Sequence, residues 1–206
     1  MNRIRYIIFA LTASVLLSSC IVVKKESDTS GYQTISLSPK PEIEMSENTV
    51  RSIDGDMIAF LPKEWFFVDI EDHASSEVFA VAVNPDYTLS LVFMARKKSQ
   101  QYSEIVDSEG LFGLSRVVLD MHQKKAGGAV TSIGKPRKIE MGNMEFVEFE
   151  FASSAGGLGT KAACFISSIG NYYEIALSPM TFRGKPLPTN SEMDMIFRSV
   201  LATVQF

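Results

Sequence analysis

Residues 136–151 read PRKIEMGNMEFVEFEF, residues 161–177 read KAACFISSIGNYYEIAL, and each stretch predicts a β-hairpin. In both, two runs rich in apolar residues flank a Gly-Asn pair, at Gly142-Asn143 and at Gly170-Asn171. Glycine and asparagine accept the positive φ angles that tight hairpin turns require. The sequence therefore predicts four antiparallel strands, at residues 136–141, 144–151, 161–167 and 172–177.

Two more hairpins are predicted upstream of this region. Segments 57–61 and 65–70 flank Pro62-Lys63-Glu64, and segments 78–83 and 87–94 flank Asn84-Pro85-Asp86. Such short breaks rich in proline and polar residues are typical of turns. Farther along the chain, the alternation of apolar and polar residues shifts phase at Phe146-Val147, and this shift predicts a β-bulge.

Two amphipathic helices are predicted, one between the hairpins and one at the end of the chain. The first has an apolar face made of Leu111, Leu114, Val117, Val118 and Met121. We expect Ser103 or Ser108 to cap its start and Gly127-Gly128 to end it. The second has an apolar face made of Met193, Ile196, Phe197, Val200, Leu201 and Val204. Asn190 or Ser191 is expected to cap this second helix.

This order of elements predicts an α+β domain in which helices flank a mostly antiparallel sheet. Leu61-Pro62-Lys63-Glu64-Trp65 resembles the "LP-x-x-W" opening of PsbP-like (Mog/PsbP/DcrB-type) domains, and Ile196-Phe197-Arg198-Ser199-Val200 resembles their terminal helix. The resemblance covers residues 50–206 and implies an α/β/α sandwich. Members of the family include extrinsic photosystem subunits, a Ran-binding nuclear protein and bacterial envelope lipoproteins. It therefore implies a binding module, and it offers no functional residues to transfer.

The first twenty residues resemble the signal segment of a bacterial lipoprotein. Arg3 and Arg5 precede an apolar run at 6–17, which is shorter than the about 20 residues of a membrane-spanning helix. Leu17-Ser18-Ser19-Cys20 then resembles a lipobox, which implies cleavage before Cys20 and attachment of acyl chains such as palmitate to that residue. The alternatives are an ordinary secretion signal or a signal anchor with an incidental cysteine.

The composition of the chain and the lipobox resemblance together predict three segments. They are a lipoprotein signal peptide at 1–19, a lipidated Cys20 with a flexible tether to residue 50, and one globular domain at 51–206. The tether is rich in Ser, Thr, Pro, Lys and Glu without a sustained period, although a short strand near 35–37 is compatible with it. In the lipoproteins of enteric-type bacteria, an Asp after the lipidated cysteine resembles an inner-membrane retention signal. Ile21 follows Cys20 here, so the resemblance implies the periplasmic face of the outer membrane rather than the inner membrane.

Composition excludes several classes of protein. Of the 206 residues, 46% are hydrophobic and 21% are charged, which is typical of a folded domain rather than a disordered chain. The net charge of −4 argues against a nucleic-acid partner. Two cysteines and two histidines argue against a disulfide framework and a His/Cys zinc site. Cys164 lies in an apolar run and is predicted to be a core residue.

A search for chemistry predicts no catalytic residue, no cofactor site and no metal site. Gly113-Leu114-Ser115 lacks the second glycine of a G-x-S-x-G nucleophile elbow and lies within a predicted helix. The glycine-rich stretch 153–161 lies between strands and is predicted to be a hairpin loop rather than a phosphate loop. His73 lies beside the acidic residues Asp69, Glu71 and Asp72, and a solvated loop is favoured there over a metal site.

The remaining charged and aromatic residues are assigned by residue type. We expect a solvated face at Glu145, Glu148 and Glu150. We also expect solvated basic clusters at Arg96-Lys97-Lys98, Lys124-Lys125 and Lys135/Arg137/Lys138. His122 is predicted to lie near the end of a helix, where a positive charge is favourable. The aromatic residues predicted to lie in the core are Trp65, Phe66, Phe67, Phe146, Phe149 and Phe151.

These observations favour a membrane-anchored, non-catalytic binding or assembly module of the cell envelope. Its expected partners are the membrane, through the lipid on Cys20, and an envelope protein. An exposed apolar or charged patch on a sheet edge or helix face would support this hypothesis. The alternative is a small-ligand-binding protein or minor enzyme with a pocket between sheet and helix. An accessory subunit of a larger complex is a third hypothesis.

Overall fold

The computed structural model describes residues 32–70 and 75–206, which contain ten strands and two helices. The strands are β1 (Gln33–Leu37), β2 (Met45–Arg51), β3 (Ile58–Pro62), β4 (Phe66–Phe67), β5 (Val78–Val83), β6 (Leu89–Arg96), β7 (Val130–Met141), β8 (Met144–Ser153), β9 (Thr160–Ile166) and β10 (Tyr172–Pro179). The helices are α1 (Gln100–Lys125) and α2 (Asn190–Leu201).

Eight of these strands form one sheet in the order β1-β7-β8-β9-β10-β6-β5-β4, and β2 pairs with β3 in a separate hairpin. Every pairing is antiparallel except that of β1 with β7. The predicted hairpins β5-β6, β7-β8 and β9-β10 are confirmed. Gly142 and Gly170 take the expected positive φ angles of 61° and 79° in their turns.

Both faces of the large sheet are covered. On one face, Leu114 and Val118 of α1 pack in an apolar cluster with Phe149 and Cys164. On the other face, α2 and the β2-β3 hairpin pack in a larger cluster around the strands. This cluster includes Leu61, Phe146, Phe165, Ile175 and Phe197. The predicted α+β class and α/β/α sandwich are therefore confirmed.

Both helices begin one or more residues away from the predicted caps. Ser99 rather than Ser103 or Ser108 caps α1, because its hydroxyl accepts from the amide of Tyr102 at 3.2 Å. Thr189 rather than Asn190 or Ser191 caps α2.

At the start of α2, the Thr189 hydroxyl accepts from the amide of Glu192, and the Glu192 carboxylate accepts from the amide of Thr189. This reciprocal capping box satisfies two amides at the start of the helix. As predicted, Gly127-Gly128 follows the end of α1.

The predicted tether to residue 50 is wrong for its second half. Residues 33–37 form β1, which pairs with β7 from Gln33↔Arg137 to Leu37↔Met141. Residues 45–51 form β2, in which Val50 is buried. β1 matches the short strand considered near 35–37, whereas β2 has few apolar side chains without regular alternation and was not predicted. The compact unit begins at Tyr32 rather than at residue 51.

The predicted hairpin between segments 57–61 and 65–70 is also wrong. β3 pairs with β2, whereas β4 pairs with β5 in the other sheet. The break at 62–64 carries the chain from one layer to the other, with Glu64 at φ 68°. A turn between two apolar runs is consistent with either arrangement, so the local pattern could not distinguish them.

The bulge predicted at Phe146-Val147 is absent from that position. β8 pairs regularly there, with Ile139 opposite Phe146 and Lys138 opposite Val147. The β7-β8 register shifts instead between Ile133 and Arg137. Phe146 and Val147 are both fully buried because helices cover both faces of the sheet. The alternation of apolar and polar residues changes phase at Phe146-Val147 because the side chains on both faces of this strand are buried, not because a residue is inserted.

Across residues 32–70 and 75–206, neither helix is long and apolar enough to cross a membrane. Trp65, the only tryptophan, is buried in the same apolar cluster as Leu61 and Phe197, as predicted.

Replacing this side chain tests the packing of the larger core. We expect Trp65→Ala to lower the free energy of unfolding by about 3–5 kcal/mol, because it removes buried apolar surface and leaves a cavity. Denaturant unfolding measures this change. Phe67→Ala, two residues away and exposed, is the matched control and should leave the midpoint nearly unchanged. Equal effects of the two substitutions would contradict the assignment of Trp65 to the core.

Candidate binding surface

Three aromatic side chains meet on the protein surface at the β4 edge of the sheet. The rings of Phe66 and Tyr87 lie edge to face with centroids 5.6 Å apart, and those of Tyr87 and Phe182 stack at 5.6 Å. Between 38% and 50% of each residue is exposed. We call Phe66, Tyr87 and Phe182 the aromatic surface.

Three separate chain segments bring these rings together. Phe66 lies on β4, Tyr87 lies in the β5-β6 turn, and Phe182 lies in the segment after β10. The turn is fixed by Asn84, whose side-chain oxygen accepts from the amides of Thr88 at 2.8 Å and Leu89 at 2.9 Å.

The segment after β10 is fixed to the same turn. The amide of Met180 donates to the carbonyl of Thr88 at 2.7 Å. The ammonium group of Lys185 donates to Oδ1 of Asp86 at 2.6 Å. Hydrogen bonds and an ion pair therefore hold the segments that carry Tyr87 and Phe182 next to each other.

The prediction that Phe66 and Phe67 belong to the core is wrong. β4 has only these two residues and is the last strand of the sheet, so no neighbouring strand covers them. Residue type alone predicts burial for phenylalanine. The position of a strand within the sheet is set by pairing over long sequence distances. The other four aromatic residues predicted in the core are buried: Trp65, Phe146, Phe149 and Phe151.

A buried ion cluster lies between α1 and the sheet. The Arg96 guanidinium donates from Nε to Oε2 of Glu174 at 2.9 Å and from Nη1 to Oε2 of Glu77 at 2.7 Å. His122 Nε2 lies 2.7 Å from Oε1 of Glu174. The side chain of Glu174 is 0% exposed and that of Arg96 is 2% exposed. The prediction that Arg96 lies in a solvated cluster is therefore wrong.

The ion cluster has no free reactive group among these residues. Burial alone would raise the pKa of the Glu174 carboxyl, but the hydrogen bond from His122 and the charge of Arg96 outweigh it and hold this pKa below its ordinary value of 4.5. Nearby Cys164 is fully buried, as predicted, and burial raises the pKa of its thiol well above the ordinary value. A thiol that stays protonated is a poor nucleophile.

A second set of charges lies on the opposite face of the sheet. Arg137 donates two hydrogen bonds to the Glu148 carboxylate, from Nε at 3.0 Å and from Nη2 at 3.1 Å. Lys161 Nζ lies 2.9 Å from Asp194 of α2 and 3.4 Å from Glu150. Glu148 is buried, so its predicted place on a solvated face is wrong. The first pair joins β7 to β8, whereas Lys161 joins β9 to α2 and β8, so these charges are used within the domain.

A third polar cluster joins the β2-β3 hairpin to the large sheet. The Asp56 carboxylate accepts from Ser52 at 2.8 Å, from Ser167 at 2.5 Å, from Asn171 at 3.1 Å and from the Tyr173 hydroxyl. Burial alone would raise the pKa of Asp56, but these hydroxyl hydrogen bonds hold it below the ordinary value of 3.8. Four donors from the domain leave this carboxylate little capacity for a ligand.

Other predicted positions are distributed as follows. Cys20 and His73 lie outside the described residues. In the described ranges, no group of three or more His, Cys, Asp or Glu residues could hold a metal ion. β9 rather than a helix follows the glycine-rich stretch after β8, as expected for a hairpin loop. Ser115 lies within α1 and is buried.

Comparisons with known proteins identify the fold. No protein-family model and no curated protein sequence matches the chain. The solution structure of cyanobacterial PsbP (CyanoP) from Synechocystis matches with a TM-score of 0.57 and 13% identity, over 77% of this chain and 91% of that one. The Ran-binding protein Mog1p of Saccharomyces cerevisiae has a TM-score of 0.47 and 12% identity, over 79% and 96% of the two chains. The domain therefore has a PsbP-like fold.

The ion cluster generates a prediction for stability and its dependence on pH. At neutral pH, Glu174→Gln should lower the free energy of unfolding by about 3–5 kcal/mol, because it removes the fully buried one of the two carboxylates that pair with Arg96. The pKa of Glu174 is lowered in the folded state, so its contribution is present above pH 4.5 and is lost as the pH falls through the folded-state pKa. The difference in the free energy of unfolding between the wild type and Glu174→Gln should therefore be smaller at acidic pH.

Denaturant unfolding at pH 7 and pH 3.5 measures both effects. The control is Glu109→Gln, which removes the exposed ion pair with Arg116 and should not change the midpoint. A variant as stable as the wild type at pH 7, or a deficit that grows in acid, would contradict this account of Glu174.

Proposed function

We propose that this chain is a lipid-anchored bacterial envelope protein that acts as a non-catalytic binding module. Cys20 carries the lipid, the domain lies on the periplasmic face of the outer membrane, and the aromatic surface binds a partner protein. The observation that carries the binding role is the contact of Phe66, Tyr87 and Phe182 at an exposed sheet edge. Aromatic residues are enriched at the centres of protein interfaces.

The conformation of Tyr87 supports this role. Its φ of 57° is left-handed, and a residue with a Cβ atom pays about 1–2 kcal/mol for that conformation. Glycine or asparagine would suit the backbone better. Hydrogen bonds of the turn hold this conformation, since the amide of Tyr87 donates to the carbonyl of Asn84 at 3.0 Å, and the ring is left about half exposed. A partner would therefore meet a ring whose backbone is already fixed, which lowers the entropic cost of binding.

The two edges of the large sheet lie far apart. Tyr32 directly precedes β1, which is one edge of the large sheet, and β4 is the other edge. Seven strand spacings of about 4.8 Å separate these edges, roughly 34 Å of sheet. The aromatic surface therefore lies at the edge of the sheet opposite to the one that follows Tyr32.

The alternative of a small-ligand site between sheet and helix has less support. The side chains of Leu114, Cys164 and Glu174 are fully buried between α1 and the sheet. The polar groups in that layer pair with one another rather than converging on an open space.

The anchor is tested by removing the thiol that would carry the lipid. Cys20→Ser should release the full-length protein from membranes, because acylation requires the sulfur and stable attachment needs the acyl chains. Fractionation and intact-mass measurement of the expressed protein follow this change. Cys164→Ser is the matched control and should remain membrane-bound. Retention of the Cys20→Ser protein in the membrane fraction would overturn the proposed anchor.

The binding role is tested by removing two rings of the aromatic surface. Tyr87→Asn with Phe182→Ser should reduce partner recovery in a cross-linked pull-down about tenfold or more, since interface aromatics often contribute 2 kcal/mol or more each. Asparagine accepts the left-handed conformation at position 87, so the fold should persist.

The control variant is Ile169→Ser, which removes an exposed side chain from the β9-β10 turn, far along the strands from the aromatic surface. Circular dichroism checks that each variant is folded. Equal recovery with the double variant and with the wild type would reject the aromatic surface as the binding site. Recovery of no partner by the wild type would reject the binding module itself.

A further inference from the structure

In the part of the chain that the structure describes, no backbone group bonds to the outer side of β4. Phe66 pairs with Val83 and Phe67 with Ala82, and the amide of Val68 donates to the carbonyl of Val81 at 2.9 Å. In an antiparallel pair, neighbouring residues point their N–H and C=O groups to opposite sides. Since Val68 bonds inward to β5, the N–H and C=O of Phe67 point outward, away from the sheet. An added strand could pair with them.

The side chains of β4 are arranged to receive such a strand. Successive residues of a strand point to opposite faces of the sheet. Phe66 therefore lies with Tyr87 and Phe182 on one face, and Phe67 lies on the other, where 46% of it is exposed. Side chains of an added strand beside β4 would alternate between the aromatic surface on one face and the ring of Phe67 on the other.

The exposed area favours a short segment over a second copy of this chain. The aromatic surface exposes roughly 270 Å² if each residue presents about 200 Å² when fully accessible. A stable dimer buries about 800 Å² on each partner. A single strand can use a narrow site because main-chain hydrogen bonds supply part of its binding energy.

The charge beside the aromatic surface indicates one feature of the bound segment. Arg183 follows Phe182 directly and is exposed. Among residues 32–70 and 75–206, no carboxylate forms an ion pair with it, whereas nearby Lys185 is paired with Asp86. An acidic side chain in the bound segment would complement Arg183.

We propose that β4 binds an extended segment of a partner protein by strand addition. The segment pairs with the outward N–H and C=O of Phe67, places an apolar side chain against the aromatic surface and places an acidic side chain near Arg183. This proposal rests on the proposed function, in which the aromatic surface binds a protein.

A library of random nine-residue peptides displayed on phage supplies the probe. Selection on the wild-type domain should enrich sequences that combine alternating apolar residues with Asp or Glu. A selected peptide, labelled for fluorescence anisotropy, is then titrated against the wild type, Phe67→Ala and Phe67→Pro. Both variants lose the ring, but only proline also removes the outward N–H. That N–H makes no bond to β5, so both should fold.

We expect Phe67→Pro to bind the peptide about tenfold more weakly than Phe67→Ala, the effect of leaving one hydrogen bond unmade. Equal affinities would overturn strand addition, as would the absence of any enriched peptide.

If Phe67→Pro fails to fold, hydrogen exchange in the wild type decides. The peptide should slow exchange of the Phe67 amide, and unchanged exchange would overturn the proposal. Partner recovery that depends on Tyr87 and Phe182 but is equal for Phe67→Pro and Phe67→Ala would leave the proposed function standing and would reject strand addition alone.

Discussion

The large sheet is covered on both faces, and the rest of the structure depends on this constraint. α1 packs on one side of β8, β9 and β10, and α2 with the β2-β3 hairpin packs on the other. Neighbouring residues such as Phe146 and Val147, or Cys164 and Phe165, must then all be buried. The charged residues that are buried on these strands, such as Glu148 and Glu174, have little access to water, so each needs a partner inside the domain. The pairing of Arg96 with Glu174 is one consequence.

Two-sided burial also limits where the protein can meet a partner. The two faces of the central strands are occupied by the domain itself, which leaves the sheet edges and the turns. One edge is β1, which directly follows the start of the described domain at Tyr32. The other is β4, where two residues pair with β5 and present exposed rings. The polar clusters around Glu174 and Asp56 hold the layers together, and the proposed partner would bind at the β4 edge.

Local chemistry decides which features could be predicted from the sequence. The β7-β8 and β9-β10 hairpins were predictable because each depends on a glycine with positive φ between apolar runs. The apolar faces of both helices were predictable for the same local reason. The Arg96–Glu174 pair joins residues 78 positions apart, and no local pattern indicates it. The exposure of Phe66 was equally hidden, because it follows from the place of β4 at the end of the strand order.

The central claim is that partner contact occurs at the β4 edge, and site-specific photo-crosslinking in living cells tests it most directly. A photoreactive amino acid in place of Phe182 lies within the aromatic surface, and one in place of Ile133, an exposed residue of β7, lies toward the opposite edge of the sheet. The account predicts a discrete covalent adduct with one envelope protein from position 182 and none from position 133. An adduct from position 133 alone, or no adduct from position 182, would contradict it.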